Sequence, residues 1–167
     1  MNISLEDIEV FIFDFDGVLT NNLVNLDSKG NEWVSCSRAD GLAFDTLRKL
    51  KKTVYILSSE KNQVVTARAN KLQIPVIQGI ADKSKSIKEL ANRENFNLDK
   101  VLYLGNDLND YHAMKLCGYT ACPSDSHSKI ASVSDIVLRT AGGNGVVREL
   151  LEEVLGLNLL KILYQEL

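Results

Sequence analysis

Short apolar runs alternate with longer amphipathic stretches along the whole chain. Val10-Phe11-Ile12-Phe13 runs straight into Asp14-Phe15-Asp16-Gly17. Val54-Tyr55-Ile56-Leu57 ends in Ser58-Ser59-Glu60, and Val101-Leu102-Tyr103-Leu104 ends in Gly105-Asn106-Asp107. Apolar runs with no polar alternation predict strands buried on both faces, the habit of a parallel sheet. Val76-Ile77, Tyr119-Thr120-Ala121 and Ile136-Val137-Leu138 are shorter candidates. Between the runs the period is helical. Leu42, Leu47 and Leu50 recur after Asp40, which the pattern makes a plausible N-cap. Residues 64–72, 84–93, 109–117 and 146–155 read the same way. Strand alternating with helix predicts an α/β fold, a doubly wound and mainly parallel sheet.

One segment breaks that rhythm. Val18–Leu26 and Glu32–Cys36 flank Asp27-Ser28-Lys29-Gly30-Asn31, which predicts a β-hairpin flap over residues 18–36. It follows the first strand and would project from the carboxyl edge of the sheet. No repeat or linker divides the chain, so residues 1–167 are expected to form one domain. The tail, Leu157 to Leu167, is rich in leucine and has two readings: a last helix that closes the core, or an exposed apolar patch that seeks a partner.

Composition narrows the class without naming a chemistry. Of 167 residues 45% are hydrophobic and 25% charged, an ordinary globular balance that excludes disordered and fibrous classes. A net charge of -3 offers no electrostatic footprint for nucleic acid. No apolar run approaches the roughly 18 residues of a membrane span. The segment Met1–Val10 carries Glu6, Asp7 and Glu9 with no basic region, so a signal peptide is not expected. Three cysteines, Cys36, Cys117 and Cys122, lack the paired spacing of a zinc site or disulfide framework, which fits a reducing, cytoplasmic compartment.

In an open α/β sheet, ligands bind beyond the carboxyl ends of the strands. Three of the predicted strands end there in Asp14 and Asp16, in Ser58, and in Asn106 and Asp107, while Lys83 opens a helix. Each alone is an ordinary turn former, cap or surface charge. Together they would bring carboxylates, a hydroxyl and a cation to one crevice. Gly17 lets the chain bend, so that one carboxylate can attack as a nucleophile while the other gives and recovers a proton. Clustered carboxylates call for a hard divalent cation such as Mg²⁺, and Ser58 with Lys83 suits the equatorial oxygens of a transferring phosphoryl group. Phosphoryl transfer through an aspartyl-phosphate fits this set better than glycoside or acyl chemistry. Two readings from other classes compete: a phosphorelay receiver domain, and a catalytically silent assembly domain.

Asp14-Phe15-Asp16-Gly17-Val18-Leu19-Thr20, with Ser58, Lys83 and Gly105-Asn106-Asp107-Leu108-Asn109-Asp110, resembles the haloacid dehalogenase superfamily over essentially the whole chain. The resemblance implies that Asp14 is the nucleophile and Asp16 the general acid and base. Ser58 and Lys83 would hold the phosphoryl group. Mg²⁺ would sit on Asp14, the Asp16 carbonyl and the loop carrying Asn106, Asp107 and Asp110. The flap, Gln78-Gly79 before Asp82-Lys83, and Gly142–Glu149 resemble the small capless branch that includes 3-deoxy-manno-octulosonate (KDO) 8-phosphate phosphatases. Members of that branch form homotetramers in which the flap of one subunit covers a neighbour's site, so the resemblance implies a homotetramer. The sequence departs from the branch twice. Asn106 stands where the family usually has an Asp, which leaves the third metal ligand open. After Ser58 the branch usually has Gly-Arg, whereas this chain has Ser59-Glu60, a form that resembles phosphatases of nine-carbon sugar acids, 2-keto-3-deoxynononate (KDN) or N-acylneuraminate 9-phosphates. On that resemblance Ser59, Glu60, Arg68 and Lys71 would bind substrate, with a KDO 8-phosphate as the alternative.

Overall fold

Residues 3–165 are described by a computed structural model. Leu167, the end of the expected tail, lies outside them. In chain order the elements are β1 (Val10–Phe13), β2 (Asn25–Leu26), β3 (Glu32–Trp33), α1 (Arg38–Lys49), β4 (Thr53–Leu57), α2 (Val64–Leu72), β5 (Val76–Ile77) and α3 (Lys83–Glu94). There follow β6 (Val101–Leu104), α4 (Tyr111–Met114), β7 (Tyr119–Cys122), α5 (Ser128–Ala131), β8 (Ile136–Val137), α6 (Val146–Glu149) and α7 (Leu159–Tyr164). A π-helical turn over Leu150–Val154 continues α6.

The long sheet has six strands in the order β5-β4-β1-β6-β7-β8, all parallel. The chain leaves β1 for β4 on one side and later returns to β6 on the other. Strand order therefore reverses at β1, where a doubly wound sheet opens a crevice beyond its strand ends. Alternation within β1 explains why its apolar run is unbroken. Phe11 and Phe13 face a core with Phe44 and Leu47 of α1, Val65 of α2 and Leu150, whereas Val10 and Ile12 face Ile87 and Leu90 of α3 and Met114 of α4. The rings of Phe13 and Phe44 meet edge to face at 5.2 Å.

Three expectations are corrected in detail. Asp40 does not cap α1. Ser37 does, accepting from the Ala39 N–H at 3.1 Å, because the helix begins three residues earlier than a cap at Asp40 would place it. Asp40 lies inside α1 and instead accepts from the N–H groups of Val147 (2.9 Å) and Arg148 (3.2 Å), at the start of α6. The flap is less regular than the sequence implied. Its ladder is only the two-residue strands β2 and β3, closed by an isolated bridge between Thr20 and Cys36. The tail is divided rather than being one thing or the other: Leu159 joins the core beside α1, while Leu160 and Tyr164 stay exposed.

Candidate active site

Asp14 stands one residue past β1, its N–H bonded to the Leu104 carbonyl at the end of β6. Ser58 stands one residue past β4, and Asn106 two past β6. Lys83 is the first residue of α3, capped by Asp82, whose side chain accepts from the Lys85 N–H at 3.0 Å. Asp14, Ser58, Lys83, Asn106 and Asp110 are all buried, and Asp16 is half-buried. A crevice of about 410 Å³ opens over them, lined by Asp14, Asp16, Ser58, Ser59, Glu60 and the Asn106–Asn109 loop. The sequence placed these residues at one edge, and the fold gathers Asp14, Asp16, Ser58, Ser59, Glu60, Asn106 and Asp107 around one crevice.

Lys83 is the electrostatic centre. Its Nζ lies 2.7 Å from Asp14 Oδ1 and 2.6 Å from Asp110 Oδ1. Burial alone would lower its pKa, but the two carboxylates outweigh burial and hold the ammonium above its ordinary value. Asp14 Oδ1 also accepts from the Phe15 N–H at 2.7 Å. Burial, reinforced by the charge of Asp110, nevertheless pushes the Asp14 carboxyl up to about 8 against the pull of Lys83. A carboxyl with that value needs further positive charge to be ionised near neutrality. Asp16 is raised as well, first by burial and then by the charge of Glu60, with Lys83 and a hydrogen bond to Thr20 opposing. That favours the protonated form a general acid requires.

The oxygens that would hold a cation have an unusual arrangement. One end of the Asn106 side-chain amide lies 2.8 Å from the Asp16 carbonyl and 3.2 Å from Asp14 Oδ2, and hydrogen bonding alone would turn its NH₂ toward both. With the amide oxygen turned inward instead, these two distances match the roughly 2.9 Å between adjacent oxygens of an octahedral Mg²⁺ with ligands at about 2.05 Å. Gly17 keeps this arrangement in place. It has φ +77°, and a Cβ there would overlap the Asn106 amide. The donor set fits Mg²⁺ with one carboxylate, one amide and one backbone carbonyl. This mixed set accounts for the absence, among the described residues, of any metal-binding cluster of three acidic, His or Cys side chains.

Asp110 has another occupation than the metal ligation expected of it. Its Oδ1 accepts from Lys83 and from the Tyr103 hydroxyl (2.9 Å), and its Oδ2 from the N–H groups of Asn106 (2.9 Å) and Asp107 (3.2 Å). Four donors saturate a carboxylate. Asp107 is exposed at the crevice rim, its Oδ1 accepting from the Leu108 N–H.

The expected substrate-binding residues divide. Ser59 and Glu60 line the crevice. Glu60 also borders a second cavity of about 290 Å³ whose walls include Asn22, Val24 and Glu32 from the flap. Arg68 and Lys71 do not reach either cavity. They line a separate cleft of about 220 Å³ with Arg38 and Asp45, and the Arg68 guanidinium donates to the Ser37 carbonyl at 2.8 Å. Their shared helical face was legible, but its direction was not. Sequence reasoning also missed Asn22, held at φ +62° between both cavities, and Tyr103. Asn22 left no signal. A tyrosine inside an unbroken aliphatic strand did leave one, since a buried phenol must find a partner.

Comparison with known proteins bears on this geometry. Residues 21–150 match the haloacid dehalogenase-like hydrolase family. Over 151 residues, 90% of this chain and 80% of the relative, 30% are identical to the 3-deoxy-D-manno-octulosonate 8-phosphate phosphatase KdsC of Escherichia coli (strain K12). A putative HAD family hydrolase from Streptomyces avermitilis superposes with a TM-score of 0.92 at 39% identity, covering 95% of this chain and 91% of its own. The 3-deoxy-D-manno-octulosonate 8-phosphate phosphatase of Moraxella catarrhalis, solved with magnesium, phosphate and KDO, superposes with a TM-score of 0.84. It is 29% identical, with 93% of this chain and 87% of that one covered.

Proposed function

The chain belongs to the haloacid dehalogenase-like hydrolases, a magnesium-dependent sugar-phosphate phosphatase among them, and from that premise we propose that it hydrolyses KDO 8-phosphate. The observation that carries the chemistry is the convergence of Asp14, Asp16 and Ser58 on one crevice, with the Lys83 ammonium paired to Asp14 beneath it. The eight-carbon sugar is supported by the named activity of the relatives just described. The nine-carbon reading loses weight because Arg68 and Lys71, half of its basis, stand outside the crevice.

In this reading the Asp14 carboxylate attacks phosphorus, and the bond from phosphorus to the sugar oxygen breaks. Asp16 gives that oxygen its proton, which a poor alkoxide leaving group needs, an assistance worth roughly 10²- to 10⁴-fold. Asp16, now ionised, then takes a proton from water as the water attacks phosphorus. The bond to Asp14 breaks, freeing inorganic phosphate and restoring both carboxyl groups. Ser58 and Lys83 hold the phosphoryl oxygens throughout. Asp14, the Asp16 carbonyl and Asn106 would hold Mg²⁺, which when bound supplies charge neutralisation at the phosphoryl group and at Asp14.

Leu23, Leu26 and Trp33 expose apolar surface on the flap, and Leu160 and Tyr164 do so on α7. We take these as the surfaces of a homotetramer in the cytoplasm, in which Arg68 and Lys71 serve substrate only if they face a neighbour's crevice. Phosphate release from KDO 8-phosphate, KDN 9-phosphate and N-acetylneuraminate 9-phosphate, with Asp14→Asn alongside, tests the reading. A kcat/KM preference for KDO 8-phosphate that the substitution abolishes supports it. Preference for a nine-carbon sugar keeps the mechanism and overturns the substrate.

A further inference from the structure

We propose that Tyr103 is a positioning residue for phosphoryl transfer: its hydroxyl fixes Asp110, and through Asp110 it fixes both the Lys83 ammonium and the Asn106–Asp107 loop. The inference rests on the phosphatase reading above and on no particular sugar.

Tyr103 is the third residue of β6, and Val101, Leu102 and Leu104 complete that strand. Its ring is fully buried in the core that also holds Ile12, Ile87 and Met114. Packing at such a position asks only for an aromatic ring, and phenylalanine would meet it with no polar atom to satisfy. The hydroxyl therefore needs a reason, and its one hydrogen bond is to Asp110 Oδ1 at 2.9 Å.

Asp110 is a bracket with two ends. One oxygen holds Lys83 and the other holds two N–H groups of the loop that carries Asn106. Because the carboxylate is planar and rigid, a rotation that moves Oδ1 also moves Oδ2. The Tyr103 hydroxyl gives Oδ1 a second donor beside Lys83, so each oxygen of the bracket is held by two. An ammonium has three N–H bonds. Asp14 and Asp110 take two of those on Lys83, so the direction of the third, left for a phosphoryl oxygen, follows from where Asp110 sits. Gly105 keeps the space for this bracket, since a Cβ there would lie 2.6 Å from Asp110 Cγ.

Tyr103→Phe keeps the ring and deletes the hydroxyl. A lost hydrogen bond to a charged group corresponds to a fall in kcat of about tenfold or more on p-nitrophenyl phosphate, whose leaving group carries no sugar. KM should stay within about twofold, because the displaced groups act most on the transferring phosphoryl. Amide hydrogen exchange at Asn106 and Asp107 should quicken while exchange in β1 and β4 is unchanged. In an Asp110→Asn background the same substitution should change kcat by less than about twofold, because the path of action is already cut. A Tyr103→Phe enzyme as fast as wild type overturns the proposal, and so does an equal loss in both backgrounds. Loss of thermal stability with kcat unchanged would make Tyr103 a packing residue only. Wild-type protein that releases phosphate from no phosphomonoester would instead sink the phosphatase reading itself, a failure separable from these.

Discussion

The catalytic shelf and the flap sit side by side, and they are built to opposite standards. On the shelf, Asp14 is 4% exposed, Lys83 2%, and Ser58 and Asp110 not at all, and each has its hydrogen bonds made within the chain. On the flap, β2 and β3 pair over two residues each, Leu23 is 67% exposed and Trp33 51%. One tie between the two regions is the Asn62 side chain donating to Glu32 at 2.9 Å. The contrast separates two tasks. Groups that must meet a transition state are held by packing and need no further ordering when substrate arrives. The flap is left incomplete, with exposed apolar residues of the kind that an interaction surface carries.

Two glycines break this comparison most sharply. Gly17 on the shelf and Gly30 on the flap share a left-handed backbone, φ +77° and +80°. An alanine at either carries the same conformational strain, about 1 kcal/mol. The surroundings differ: a Cβ at Gly17 would overlap Asn106, and one at Gly30 meets nothing within 4 Å. Gly17→Ala is expected to lower kcat/KM about 100-fold or more by displacing Asn106 from its place beside Asp14 and Asp16, while Gly30→Ala stays within about threefold. Steady-state kinetics on both variants decides it. Equal losses would mean that the shelf owes nothing special to close packing.

A smaller effect tests what covers the flap. With Leu23→Ser and Trp33→Ser combined, kcat/KM for KDO 8-phosphate should fall about tenfold, while p-nitrophenyl phosphate turnover changes by less than about twofold. Sedimentation should show the homotetramer proposed above falling to smaller species. Dissociation with sugar turnover intact would leave the flap a contact surface with no part in substrate capture.

How much of this was legible depended on the range of the interaction. The shelf strands were, because Phe11 and Phe13 on one face and Val10 and Ile12 on the other make β1 apolar throughout. The residues at their ends followed, since the rule that ligands bind beyond strand ends needs no coordinates. The flap strands were placed but drawn too long, because Val18–Leu26 and Glu32–Cys36 carry no partner pattern strong enough to fix a ladder. Arg68 and Lys71 share a face of α2, yet which way that face turns is set by packing of Val65, Ala69 and Leu72 into the core. Asp110 was read as a metal ligand because its spacing says nothing of the four donors that surround it. Asp40 was read as a local cap for the same reason: its partners are 107 and 108 residues away.

Asp40 lies where shelf and flap join, and it carries the smallest of these effects. It enters α1 three residues after Ser37, at the root of the flap, and it holds the start of α6. The loop before α6 rests on the start of the flap, with the Gly143 N–H donating to the Val18 carbonyl at 2.9 Å. Asp40 Oδ2 is buried without a partner. Burial pushes the carboxyl up to about 6, although the N–H groups of Arg148 and Val147 and the charge of Arg68 pull the other way. The sign follows from proton counts. Between about pH 4 and pH 6 the folded protein keeps a proton that the unfolded chain has released, so this group's contribution to stability is lost as pH rises through that window. A shift from 3.8 to about 6 corresponds to about 3 kcal/mol. Asn at this position still presents an oxygen to Val147 and Arg148 and removes the buried charge. It also gives up an anion at the start of α6, about 0.3–1 kcal/mol. Urea unfolding of Asp40→Asn and wild type should therefore diverge in the variant's favour from pH 4 to pH 7, by about 2 kcal/mol after that loss, and run parallel above pH 7. A difference that stays constant with pH would show that Asp40 is ionised across the whole range, and that the joint between shelf and flap carries a settled charge.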